Sequence, residues 1–129
     1  MLRYSVSQQG PRRIQCPISF SIRLPMNGAR IRGSRGGFIK TLITSEVNPG
    51  LTLSRVKLLP GGELPPHTHE ASTETFYILS GEARCRVGDE ETILKAGHRG
   101  YAPTGVSHTL RNIGQEDLHA ISVFSPPLG

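Results

Sequence analysis

Apolar and polar residues alternate with a period of two along much of the second half of the chain. In Glu82–Val87, Ala83, Cys85 and Val87 fall on one side and Glu82, Arg84 and Arg86 on the other. That is the pattern of a half-buried β-strand. Other short β-rich runs cover residues 38–44, 51–59, 75–79, 92–94, 98–102, 108–113 and 118–124. Turn-forming residues separate them: Asn48-Pro49-Gly50, Pro60-Gly61-Gly62, Ser80-Gly81, Gly88-Asp89-Glu90, Lys95-Ala96-Gly97 and the stretch from Gly114 to Asp117. The run 118–124 stops at Ser125-Pro126-Pro127, which cannot continue a central strand. No segment carries a sustained helical period. The pattern predicts an all-β protein, a small antiparallel β-barrel or jelly roll.

Before residue 37 the alternation fails. Residues 1–36 are basic and broken by Gly10, Pro11, Pro17, Pro25, Gly28, Gly33 and Gly36. We divide the chain into this N-terminal arm, 1–36, and a barrel domain, 37–129. Three readings stand for the arm. It is a flexible extension with a short strand near residues 18–24 that adds to a sheet edge, a targeting segment rich in Arg and Ser, or the product of a misassigned start, with translation beginning at Met26. The prolines interrupt any amphipathic helix and favour the first.

Charge sharpens the division. Residues 1–45 hold eight basic side chains and no acid, whereas residues 46–129 hold seven basic and ten acidic ones, a net of −3. The overall charge of +5 therefore resides in the N-terminal third, and nucleic-acid binding, which is not expected, would have to rest on that arm alone. No run approaches the roughly 20 apolar residues of a membrane-spanning helix. Cys16 and Cys85 stand in no paired spacing, and two reduced thiols in a cytoplasmic protein are expected.

Chemistry concentrates between Gly61 and Asn112. His67 and His69 are two apart, so on an extended strand both imidazoles point to one face. Glu74 opens the next β-rich run and His108 opens a later one. Imidazoles plus a carboxylate suit Fe(II), Mn(II), Ni(II), Cu(II) or Zn(II), and four protein ligands leave one or two positions open. Isolated histidines are more often ordinary polar residues. What distinguishes these is their frame: G-x5-H-x-H-x4-E-x6-G from Gly61 through His67, His69 and Glu74 to Gly81, then G-x5-P-x-G-x2-H-x3-N from Gly97 through Pro103, Gly105 and His108 to Asn112.

These two blocks resemble the signature motifs of the cupin superfamily in its small single-domain form, over roughly residues 51–127. The resemblance implies a double-stranded β-helix barrel holding one divalent metal ion (Fe, Mn, Ni, Cu or Zn) through His67, His69, Glu74 and His108. His98 departs from the family pattern, where a small acidic residue commonly follows the motif glycine; we read it as a turn residue. Asn112 is expected to tie a turn by side-chain hydrogen bonds, and His119 to sit at the solvated edge of the last strand.

Strand parity places Phe76 and Ile78 on the face of Glu74, and Leu110 on that of His108. Together with Ala83 they predict a mainly apolar cavity wall. Tyr101, Arg55 and Lys57 are the polar candidates for contact with a substrate. The ligand set serves dioxygenases, decarboxylases, isomerases and lyases in the family, and the fold does not choose among them. We expect a metalloenzyme acting on a small organic substrate, with a dioxygenase-like oxidoreductase first. The alternative is a non-catalytic cupin that binds or senses a small molecule. A homodimer is expected, because a short barrel leaves a sheet edge for a partner.

Overall fold

The computed structural model describes residues 28–128, and the readings made for residues 1–27, the short strand, the targeting segment, the Met26 start and Cys16, lie outside them. Nine strands follow in order: β1 (Ala29–Arg30), β2 (Arg35–Ile43), β3 (Thr52–His67), β4 (Thr73–Ser80), β5 (Glu82–Val87), β6 (Glu90–Lys95), β7 (Arg99–Ala102), β8 (His108–Asn112) and β9 (Leu118–Ser125). Among the described residues there is no helix. Every pairing is antiparallel. One sheet runs β6-β5-β8-β3-β9-β4-β7, with β2 joined to β3 and β1 to β2. It curls nearly into a barrel. The Ile78 amide of β4 donates to the His98 carbonyl, and the Gly97 amide returns a bond to Ile78, each at 2.9 Å.

The alternation in the sequence becomes the two sides of this sheet. Along β3, Thr52, Ser54, Val56 and Leu58 face inward, and along β9 so do Leu118, Ala120, Ser122 and Phe124. Leu58, Phe76, Ile78, Ala83, Cys85, Leu94, Leu110, Leu118 and Ala120 form one continuous core. Removing such apolar area from water supplies the main driving force for closure. Burial also pushes the Cys85 thiol up to about 11, so it stays protonated.

The structure departs from the sequence reading at β3. The β-rich pattern predicts a strand ending at Leu59, before the Pro60-Gly61-Gly62 turn; the extended chain instead continues to His67. It does so by changing partners. Residues 52–58 pair with β9, and residues 63–67 pair with β8. The corner is built from glycine. Gly61 has φ of 72°, and a Cβ on Gly62 would lie 2.7 Å from the Leu59 carbonyl oxygen. The arm boundary also differs. β2 begins at Arg35 and β1 pairs with it, Ala29 opposite Ile39 and Arg30 opposite Phe38, so the described end of the arm belongs to the sheet.

Asn112, almost fully buried, locks the far end of the barrel. Its Nδ2 donates to the Leu58 carbonyl at 3.0 Å and to the Glu116 carbonyl at 2.7 Å, while Oδ1 accepts from the Gly114 amide at 2.9 Å. One side chain thus ties β3 to the β8–β9 turn. Asn112→Ala strands all three backbone groups and is expected to cost about 2 kcal/mol. In thermal unfolding that lowers Tm by roughly 6–10 °C; an unchanged Tm would show that water replaces the side chain without loss.

Candidate metal centre

The corner in β3 delivers His67 to the barrel mouth, directly opposite His108 at the start of β8. His69 follows in the loop before β4, and the Gly105 amide holds it by donating to its carbonyl at 2.9 Å. The two motif blocks are therefore hydrogen-bonded to each other. Glu74 comes from β4, where it pairs with Phe124 and Ala102. All four side chains meet: each offers one ligand atom, and these lie within 4.8 Å of one another. Ligand atoms about 2.1 Å from a shared ion stand at most about 4.2 Å apart. A small inward movement brings the set onto one ion.

Hydrogen bonding selects the tautomers. The Nδ1 atoms of His67 and His108 lie 2.7 and 3.0 Å from the carbonyl oxygens of Pro65 and Val106. A carbonyl only accepts, so each Nδ1 carries the hydrogen. In the neutral imidazoles Nε2 is then left with its lone pair, the arrangement in which outer-shell carbonyls orient metal-binding histidines. The Nε2 atoms of His69 and His108 are buried and have no hydrogen-bond partner. Orphaned buried nitrogens are costly unless something binds them. Their nearest charged neighbour is Oε1 of Glu74, at 3.6 Å from His69 and 3.7 Å from His108.

Electrostatics match. Burial pushes the Glu74 carboxyl up, but the imidazoles of His108 and His69 outweigh it and hold the group at about 2. Burial holds His67 below the usual imidazole range. At His108 burial acts in the same direction, yet Glu74 and the Val106 carbonyl prevail and raise it. Near neutral pH the site therefore offers an ionised carboxylate beside imidazoles, a donor set that fits a divalent transition metal. The His69 ring also packs edge-on against Phe124, with centroids 5.1 Å apart.

The ligands open onto a cavity of about 450 Å³. Phe76 and Leu110, expected on its wall, line it. Ile78 and Ala83 are completely buried in the core and do not. Arg55, Lys57 and Tyr101 lie on the outer side of the sheet. Arg55 stands between inward Ser54 and Val56 and reaches the His119 ring at 3.4 Å, Lys57 covers the Phe38 ring at 5.0 Å, and Tyr101 is half exposed beside inward Ala102. His98 accepts from the Lys95 amide at 2.9 Å, as a turn residue does. Ile39, Val56, Ala120, Ser122 and Phe124 also line the cavity and were not anticipated. On β9 the only signal was parity, and both parities there contain apolar residues.

Comparison with known proteins agrees with this geometry. The model of the cupin domain matches residues 54–124. A protein of Thermotoga maritima named oxalate-binding protein is 31% identical over 103 residues, 78% of this chain and 85% of that one. A germin-like protein, subfamily 2 member 2, of Arabidopsis thaliana is 32% identical over 78% of this chain, which spans 47% of its length. The crystal structure of a predicted oxalate decarboxylase from Thermotoga maritima superposes with a TM-score of 0.71, at 31% identity, over 78% of this chain and 92% of that one.

Proposed function

The chain belongs to the cupin family, and on that footing we propose that it is a metal-dependent cupin that binds and turns over a small organic acid. The observation that carries the proposal is the convergence of the unpartnered Nε2 atoms of His69 and His108 with His67 and Glu74 at the mouth of an apolar cavity. These four residues would hold one divalent ion, which when bound supplies a Lewis acid with open positions. The rest belongs to the chain's own side chains. The carbonyls of Pro65 and Val106 orient the imidazoles of His67 and His108, Glu74 lowers the net charge of the site, and the apolar wall offers a surface for the hydrocarbon part of a ligand.

A dioxygenase-like oxidoreductase is the first reading, since an ion held by these three imidazoles and one carboxylate would supply redox chemistry toward dioxygen beside an acid seated in the cavity. Decarboxylation without net oxidation is the second reading, supported by the similarity to the predicted oxalate decarboxylase. Binding without turnover is the third, supported by the similarity to a protein named for binding oxalate. Incubating the chain with Fe(II) or Mn(II) and small organic acids, while following dioxygen and carbon dioxide, separates them. Dioxygen uptake supports the first, carbon dioxide without dioxygen uptake the second, and neither gas with saturable binding the third.

Metal retention should depend on pH in a defined direction. Metal and protons compete for the same lone pairs. Because Glu74 remains ionised to about 2, acidification from about pH 7 to 5 loads protons onto the imidazoles and not onto the carboxylate. His108, held above the usual range, takes its proton first, while His67, held below it, takes one late. Apparent affinity should therefore fall with falling pH, through His108 first and His67 later. A chelator competition titration measures the slope, and a flat profile across this range would exclude imidazole ligation.

A further inference from the structure

The cavity wall speaks to what the acid looks like beyond its head. Past the four ligand residues, the wall is built from Ile39, Val56, Phe76, Leu110, Ala120 and Phe124, drawn from five different strands. Its polar groups are the buried Cys85 thiol and Ser122 hydroxyl together with Ser34, Thr68 and Thr109, and among the described residues its one other charged side chain is Arg32, exposed in the turn between β1 and β2. With a water's share of volume near 30 Å³, a cavity of about 450 Å³ holds on the order of fifteen waters. Oxalate consists of two joined carboxylates with no hydrocarbon. Seated at the ligand cluster, it would displace a few of those waters and leave the rest against hydrocarbon, with no buried cation among the described lining residues for its second carboxylate.

We infer that the acid recognised by this chain is amphipathic, with a carboxylate head at the His67, His69, Glu74 and His108 cluster and an apolar alkyl or aryl body filling the cavity between Phe76, Leu110 and Phe124. This rests on the metal-site reading proposed above and specifies its ligand. It also sets the chain apart from its similarity to oxalate-named proteins. The body contributes by removing apolar wall and apolar ligand from water together. Each methylene that finds the wall is worth about a fourfold gain in affinity. Selectivity then comes from the wall, since the head contacts are common to all acids of this type.

The test holds the head constant and varies the tail. The full chain, loaded with one divalent ion and checked for metal content, is titrated calorimetrically with oxalate, pyruvate, 2-oxobutanoate, 2-oxohexanoate and phenylpyruvate. The dissociation constant is expected to fall about fourfold per methylene, with phenylpyruvate far tighter than pyruvate and oxalate no tighter than pyruvate. A flat series, or oxalate as the tightest ligand, overturns the inference while leaving the metal site standing. A chain that takes up no metal and binds no member of the series overturns the metal-site reading and this inference with it. Ala120→Leu, which fills the cavity, should keep the metal and flatten the series. Leu110→Ala, which enlarges it, should extend the gain to longer tails. If neither variant changes the dependence on tail length, the tail does not lie against this wall.

Discussion

Replacing His67 and His108 together by alanine is expected to reduce bound metal from about one ion per chain to less than about a tenth of that. The two residues are register partners across β3 and β8, so the double change removes facing ligands. Altering an outer-shell group that merely orients a ligand costs 10–100-fold in affinity. Losing two ligands outright should therefore exceed about 10⁴-fold. Metal analysis by mass spectrometry after reconstitution gives the answer, and retention of a full equivalent would refute ligation by these residues.

The same variant carries a second expectation, for stability. Without metal, the native site holds buried, unpartnered ring nitrogens, including that of His108. Removing His108 lifts one such cost but also takes from Glu74 an imidazole that keeps its buried carboxylate ionised, so the two effects offset and the metal-free variant should stay close in stability to the metal-free parent. With metal present the parent becomes the more stable of the two, because binding to the folded state alone stabilises it by mass action. Chemical denaturation with and without a chelator shows both halves. A metal-free variant that unfolds much earlier than its parent would mean that the imidazoles hold the fold on their own.

The grouping of His67, His69, Glu74 and His108 was legible in the sequence because it rests on offsets along the chain. His67 and His69 share a strand face by their spacing, and the two glycine-framed blocks fix where Glu74 and His108 begin their strands. The fold class was legible for a related reason. Glu82–Val87 alternates cleanly because one face meets the core and the other meets water. Where both faces of a strand are partly covered, alternation loses its meaning. Arg55 and Lys57 lie on an outer face that is only partly exposed, and their parity could be assigned only once Ser54, Val56 and Leu58 were seen to point inward. Ile78 shares parity with Glu74 and Phe76 as expected. It sits too far along β4 from the mouth to reach the cavity, and distance along a strand depends on register, which no local pattern supplies. The extension of β3 through three prolines was hidden for a different cause. Pro60 is tolerated at the corner where the chain changes partners, and Pro65 and Pro66 at the break in register between Leu64 and His67.

Gly100→Val is expected to cost about 3 kcal/mol or more, because the ring of Phe76 occupies the place of its side chain. Gly100 and Phe76 are paired directly across β7 and β4. A Cβ at Gly100 would lie 2.1 Å from Phe76 Cζ and 2.3 Å from Cε2. Nothing in the local sequence announces this. Gly100 lies between the motif glycine Gly97 and Pro103, and its φ is not in the positive region that marks a turn glycine. The requirement is one of space, and the ring can yield only toward the cavity. The variant should therefore lose Tm and also lose volume next to Glu74. Phe76→Ala alone should cost about 3–5 kcal/mol by opening a void. The two changes share one volume, so their effects should not add. The double variant Phe76→Ala/Gly100→Val is expected to be more stable than the sum of its parts by at least about 1 kcal/mol, since the valine methyls enter the space the ring has left. A double-mutant cycle by denaturant unfolding measures that coupling. Strict additivity would mean that β7 moves away from β4 to accommodate the valine, and that the packing of Phe76 on Gly100 does not fix the wall of the site.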